Sequence, residues 1–147
     1  MPRGLHANLF LVRSAREVML RDFAVLEFGT TFAELLSMSE NLGGLRHVIV
    51  ARGRRILGVL RVNMDMRRAI GAAGAEVTLG ELTRRNFVFV RDNQAAFDVI
   101  ARMRRRRASV AVVISAAGSL DANEVLGLIT EEQIVASVAD TISLYPR

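Results

Sequence analysis

The sequence has no cysteine, no tryptophan and no lysine, one tyrosine and two prolines. Without cysteine there is no disulfide framework and no thiolate metal site, which suits a reducing compartment. The two histidines, His6 and His47, come without the His-x-x-Glu spacing of a helical metal site, so no bound metal is expected. The seven phenylalanines read mostly as core, and the basic residues are not interleaved with aromatics. Nucleic acid is therefore not an expected partner. The longest apolar run, around Val110 to Leu120, is too short to cross a bilayer and contains Gly118 and Ser119. No basic start, apolar middle and small-residue cleavage site follow one another at the N-terminus, so the chain reads as soluble. No serine, histidine and carboxylate arrangement marks a triad, and no phosphate loop or dinucleotide fingerprint is present. Gly71-Ala72-Ala73-Gly74 follows a predicted helix rather than a strand. The chain reads as a binding or regulatory unit and not as an enzyme.

What is present is a globular composition: 147 residues, 51% hydrophobic and 24% charged, with a net charge of +5. All 20 basic residues are arginine. Guanidinium pairs with phosphate bidentately, so this bias suits phosphate-bearing partners. Genomic base composition produces the same bias without any functional cause.

An internal repeat organises the chain. Arg21-Asp22-Phe23-Ala24-Val25-Leu26 aligns with Arg85-Asn86-Phe87-Val88-Phe89-Val90 at an offset of 64. At the same offset Glu34-Leu35-Leu36 meets Asp98-Val99-Ile100, and His47-Val48-Ile49-Val50 meets Ala111-Val112-Val113-Ile114. Leu57-Gly58-Val59-Leu60 then matches Leu126-Gly127-Leu128-Ile129 at offset 69. This places five extra residues in the polar stretch Ser119 to Glu124, where an insertion is tolerated.

Each copy reads as β-α-β-β-α. Extended segments at 23–26 and 87–90 precede amphipathic helices at 31–39 and 94–105. Hairpins follow, 48–51 with 55–60 and 110–115 with 125–129, with turns at Arg52-Gly53-Arg54 and Ala117-Gly118-Ser119. Closing helices start near Asn63 and Thr130. Thr130 suits an N-cap, with Glu131 and Glu132 in the first turn and Gln133 completing a capping box. A further short helix is expected between Ser14 and Leu20. The expected fold is α/β (α+β), two such repeats packed as a pseudo-twofold pair.

This order of elements resembles the CBS module, which works in pairs. The resemblance rests on Gly127-Leu128-Ile129-Thr130-Glu131-Glu132-Gln133 and on its first-copy counterpart Gly58-Val59-Leu60-Arg61-Val62-Asn63-Met64. It divides the chain into a lead-in at 1–16, a first module at 17–71, a linker at 72–78, a second module at 79–140 and a tail at 141–147. A finer resemblance joins Gly4 to Arg13, Arg16-Glu17-Val18-Met19 and the tail Ser143-Leu144-Tyr145-Pro146 to bacterial CLC-type chloride channels and transporters. It implies a regulatory domain on the cytoplasmic side of the plasma membrane, continuous with a transmembrane channel domain of the same polypeptide, and paired as a homodimer through its CBS modules. Two alternatives stay open: a ligand-free dimerisation module, and a CBS regulator of another host.

The resemblance also implies a ligand. CBS pairs bind adenine nucleotides such as ATP, ADP or AMP between modules, and no cofactor is required. The threonine of the motif contacts ribose or phosphate, and an aspartate three positions on accepts from ribose hydroxyls. Here Thr130 matches, and Gln133 stands where the aspartate would be. In the first copy Arg61 and Met64 replace both polar residues, and Asp65 lies one position late. The implied nucleotide site therefore comprises Asn86, Phe87, Val88, Val110, Ala111, Gly127, Thr130 and Gln133. Within the basic run Arg102 to Arg107, the residues Arg104, Arg105 and Arg107 are candidate contacts for phosphate or another anion. A solvated helix end accounts for the same arginines, since cations suit a helix C-terminus.

Overall fold

The computed structural model describes residues 12–41, 46–63, 66 and 76–144. His6, Met64, Asp65, the stretch Gly71 to Gly74 and Tyr145-Pro146 lie outside the described residues. So does most of the closing helix expected after Asn63. The elements are α1 (Ala15–Val18), β1 (Ala24–Glu27), α2 (Phe32–Asn41), β2 (His47–Arg52), β3 (Arg55–Arg61), α3 (Leu79–Leu82), β4 (Phe87–Arg91), α4 (Ala96–Arg106), β5 (Val110–Ile114), β6 (Val125–Thr130) and α5 (Glu131–Leu144), with a 3-10 turn at Ala122–Glu124. They make a mixed α+β fold with two three-stranded sheets, β1-β2-β3 and β4-β5-β6. In each sheet the first pair is parallel and the second antiparallel. Each parallel pair is joined through a helix, as a parallel connection requires.

Chain contacts gather these elements into two compact units. Of the described residues, one holds those within 22–86 and 120–124; the other holds 12–21, 87–119 and 125–144. In the β1–β3 unit, Val48, Val50, Leu60 and Val62 face Phe32, Leu35 and Leu79. In the β4–β6 unit, Val88, Val90, Ala111, Val113 and Ile129 face Val99 and Met103 of α4 and Ala15 and Met19 around α1. Every residue of β5 is buried, as befits a central strand covered on both faces. The spacing of Ala96, Val99 and Met103 puts all three on the buried side of α4.

The repeat is confirmed, but its alignment shifts. Ala24 pairs with Val48 and Val48 with Leu60, whereas Val88 pairs with Ala111 and Ala111 with Ile129. The second strands therefore correspond at an offset of 63, not 64. The bulges agree, at Val50/Ala51 and Val113/Ile114. The extra residues between the last two strands then number six rather than five. A slip of one residue exchanges the two faces of a strand, so only the corrected offset sets Val48 beside Ala111 on the helix-covered side.

The short helices hold a second surprise. The expected Ser14–Leu20 helix contracts to α1, and α3 was not expected at all. The two correspond at offset 64, but each packs in the unit of the other copy's sheet. Ser14 bridges to Ala95 at the start of α4, and Thr78 bridges to Thr31 at the start of α2. Each opens with Ser/Thr-x-x-Glu, as does α2: Ser14 with Glu17, Thr78 with Glu81 and Thr31 with Glu34.

The second hairpin turn also differs from expectation. Residues 115–124 form a longer connection, with a turn at Ala116-Ala117 and the 3-10 turn after it. Nor is the insertion idle. The Ala122 N–H donates to the Arg54 carbonyl at 2.8 Å, and Arg54 lies 3.6 Å from the Asp121 carboxylate. The first hairpin turns as expected at Gly53, whose φ of 62° suits a residue without Cβ.

Asp92 ties α1 down. It accepts from the Arg16 guanidinium at 2.8 Å and from the Ala116 N–H at 2.9 Å. The Arg16 hydrogen bond holds its carboxyl below the usual aspartate value, and the Ser14 backbone N–H does the same for Glu17. A carboxylate with a lowered folded pKa contributes stability above its unfolded value and loses it as pH falls through the folded one. Asp92→Asn is therefore expected to melt below wild type at neutral pH, with the gap closing as both are titrated to about pH 2. A gap unchanged at acid pH would show that the charge of Asp92 is not what matters.

Candidate functional site

The β4–β6 sheet brings most of the expected site residues into two neighbouring rows. Phe87, Val110 and Thr130 lie side by side across β4, β5 and β6, followed by Val88, Ala111 and Ile129. Side chains alternate between faces along a strand. The second row belongs to the core under α4, so the first points to the opposite face. The Phe87 ring meets Phe89 edge to face on that side, with centroids 5.3 Å apart.

Thr130 ends this row and opens α5. Its hydroxyl accepts from the Gln133 N–H at 3.3 Å, and its own N–H donates to Gln133 Oε1 at 2.8 Å. The expected capping box is thus formed. Among the described residues, Thr130 is the buried polar residue of the core, only 1% exposed. Gln133 has a second duty that sequence reasoning missed: its Nε2 donates to the Val18 carbonyl at 2.8 Å. The side chain at the motif's acidic position thereby joins the start of α5 to the end of α1.

Gly127 faces Val113 across the sheet. A Cβ there would lie 2.5 Å from Met19 Sδ and 2.7 Å from the Leu20 carbonyl oxygen. Its bare backbone admits the chain leaving α1, which pairs with β6 through Leu20 N–H to Leu128 O at 2.7 Å and the reverse bond at 2.9 Å. Gly58 plays the same part in the other unit, against Thr83 and the Arg84 carbonyl.

Asn86, directly before Phe87, makes its contacts in the β1–β3 unit. Its amide brackets Val59 of β3, accepting from the N–H at 3.0 Å and donating to the carbonyl at 2.9 Å. It acts as an extra strand residue along that edge. In the same unit, the position of Thr130 is taken by Arg61, which pairs with His47.

Arg104, Arg105 and Arg107 are all exposed. Arg104 and Arg107 line a groove of about 470 Å³ between α4 and α5, floored by Ile100, Met103, Ala108, Ile134 and Val135 and flanked by Glu131. Arg105 is not in its lining. Arg107 closes α4 in the left-handed conformation at φ 53°. Among the described residues, no group of three or more histidine and carboxylate side chains could hold a metal ion. Among them too, no helix is long and apolar enough to cross a membrane.

Residues 79–140 match the family model of the CBS domain. The matched segment contains the two rows, the Thr130 turn and the groove. No curated protein sequence matches the chain. Solved structures match nearly all of it. The CBS domain of a bacterial CNNM/CorC family Mg2+ transporter superposes with a TM-score of 0.67 at 23% identity, covering 94% of this chain and 84% of that one. The same domain in complex with ATP gives 0.66 at 23%, covering 94% and 96%. A hemolysin-like protein containing a CBS domain from Oenococcus oeni PSU gives 0.69 at 20%, covering 91% and 96%. At these identities the likeness establishes the fold.

Proposed function

We propose that the chain is the regulatory CBS pair of a membrane transporter, on the cytosolic side of the membrane, and responds to an adenine nucleotide at the Phe87–Val110–Thr130 row. The observation that carries this reading is the formed Thr130–Gln133 turn at the end of that row, inside the segment that matches the CBS family. The ATP complex of a similar CBS domain supports the ligand class, and the transporter origin of the similar structures supports the host class. Those structures come from Mg2+ transporters, which favours a cation-transporting host. The CLC-type host rests on the resemblance of Gly4 to Arg13 and of Ser143 to Pro146. The gene sequence upstream of Met1 tests this: a run of about ten or more hydrophobic spans supports the CLC-type host, and their absence sinks it. Homodimerisation belongs to the same reading, and the chain acts by binding rather than by catalysis.

A specific observation favours a second reading, a ligand-free structural module: the Gln133 amide is already engaged with Thr130 and Val18. Melting with ATP, ADP, AMP and S-adenosylmethionine separates the two. A ligand at 100 times its dissociation constant stabilises by about 2.7 kcal/mol, a rise of several degrees at this chain length. That rise is expected for at least one adenine nucleotide, and weaker for Thr130→Ala. No rise with any of the four at millimolar concentration supports the structural module.

A further inference from the structure

We infer that Gln133 couples the β6–α5 turn to α1, so that a ligand recruiting this side chain loosens the chain from Val18 to Leu20. The inference deepens the nucleotide reading and rests on it for the identity of the ligand. Its basis is the division of one amide between two partners. Oε1 is held by the Thr130 N–H, and Nε2 by the Val18 carbonyl, a residue far away in sequence. A glutamine carbonyl accepts two hydrogen bonds, and Oε1 already takes the Thr130 hydroxyl at 3.5 Å beside the Thr130 N–H. To accept a ligand hydroxyl in place of the Thr130 N–H, the amide must turn, and turning withdraws Nε2 from Val18. The Val18 carbonyl then loses its side-chain partner at the point where α1 ends and the chain crosses to Leu128. Losing a part-buried hydrogen bond costs stability, so occupancy and retention of this segment oppose each other. Linkage makes the opposition reciprocal: whatever draws α1 away strengthens ligand binding by the same factor.

The rest of α1 stays anchored, which localises the response. Arg16 remains on Asp92, and the Ala15 N–H on the Gln94 carbonyl at 2.7 Å. The segment expected to yield is therefore Val18 to Leu20, next to Gly127.

Gln133→Glu isolates the device. The carboxylate keeps the shape and still accepts from the Thr130 N–H, but it cannot donate to Val18. Hydrogen exchange is measured by mass spectrometry on the intact chain, with and without ATP. Without ligand, Gln133→Glu is expected to speed exchange about tenfold in the peptide spanning residues 14–20, with β4 and β5 unchanged as internal controls. Gln133→Leu, which removes both bonds, should do the same. With ATP, the wild-type protein is expected to show faster exchange in that peptide, and Gln133→Glu to bind ATP about tenfold more tightly. Unchanged exchange at 14–20 in both ligand-free variants overturns the coupling, as does an ATP complex that protects the peptide. Faster exchange in the variants with no ATP binding to any form upholds the link between Gln133 and α1 and defeats the nucleotide reading instead.

Discussion

Phe32→Ala is expected to destabilise the β1–β3 unit by about 3–5 kcal/mol, the range for removing a buried aromatic ring. Phe32 is fully buried and is the first residue of α2. It packs in the cluster formed by Leu35, Val48, Val50, Leu60, Val62 and Leu79, which draws on a helix, two strands and the short α3. No neighbour can close the hole without moving the sheet or unseating α3. At this chain length each kcal/mol lowers the melting temperature by roughly 2–4 °C, so a fall of about 10 °C is expected. Phe97→Ala is the matched control: Phe97 is 61% exposed, and its loss should change stability by no more than about 0.5 kcal/mol. Thermal melts of both variants decide the matter. A Phe32→Ala protein that melts within about 2–3 °C of wild type would mean that the α2 face does not carry the core of this unit.

Gly127→Ala should be the most damaging single-methyl addition in the β4–β6 unit. The new Cβ meets Met19 Sδ and Cγ at 2.5 and 2.6 Å and the Leu20 carbonyl oxygen at 2.7 Å. The Met19 side chain can rotate away, but the backbone oxygen cannot. Leu20 must shift, which breaks its paired bonds to Leu128. Overpacking of this kind costs about 1–3 kcal/mol, and each lost hydrogen bond adds about 1 kcal/mol. A loss of roughly 3 kcal/mol is expected, with exchange of residues 14–20 raised before that of β5. Gly29→Ala is the control, because nothing lies within 4 Å of its added Cβ. If Gly127→Ala melts with wild type while nucleotide affinity falls, the glycine serves the ligand rather than the chain leaving α1.

These two substitutions mark how far the site could be read from the chain. The row Phe87–Val110–Thr130 was legible, because β-branched and aromatic runs at 87–91 and 110–114 declare their strands. The Thr130–Gln133 cap was legible too, because a capping box is local. Three more boxes, at Ser14, Thr31 and Thr78, carried the same Ser/Thr-x-x-Glu signal and would have revealed α3. Asn86 carried no such signal. The family resemblance implied a ligand contact there, and no local pattern announced that its amide also brackets Val59 on β3.

The sequence by itself determined that the chain carries a β-α-β-β pattern twice, where most strands and helices run, and that a capping box opens the helix after the second copy. Those properties follow from local periodicity, capping and repetition, each confined to a short stretch of chain. Tertiary structure decided the rest. It moved the second strands from offset 64 to 63, because register follows which face meets the helices. It gave α1 to the β4–β6 unit and α3 to the β1–β3 unit, because a four-residue helix has no core of its own and settles where backbone bridges and a glycine notch receive it. It also joined Gln133 to Val18, a bond between residues so distant in the chain that no local pattern could have announced it.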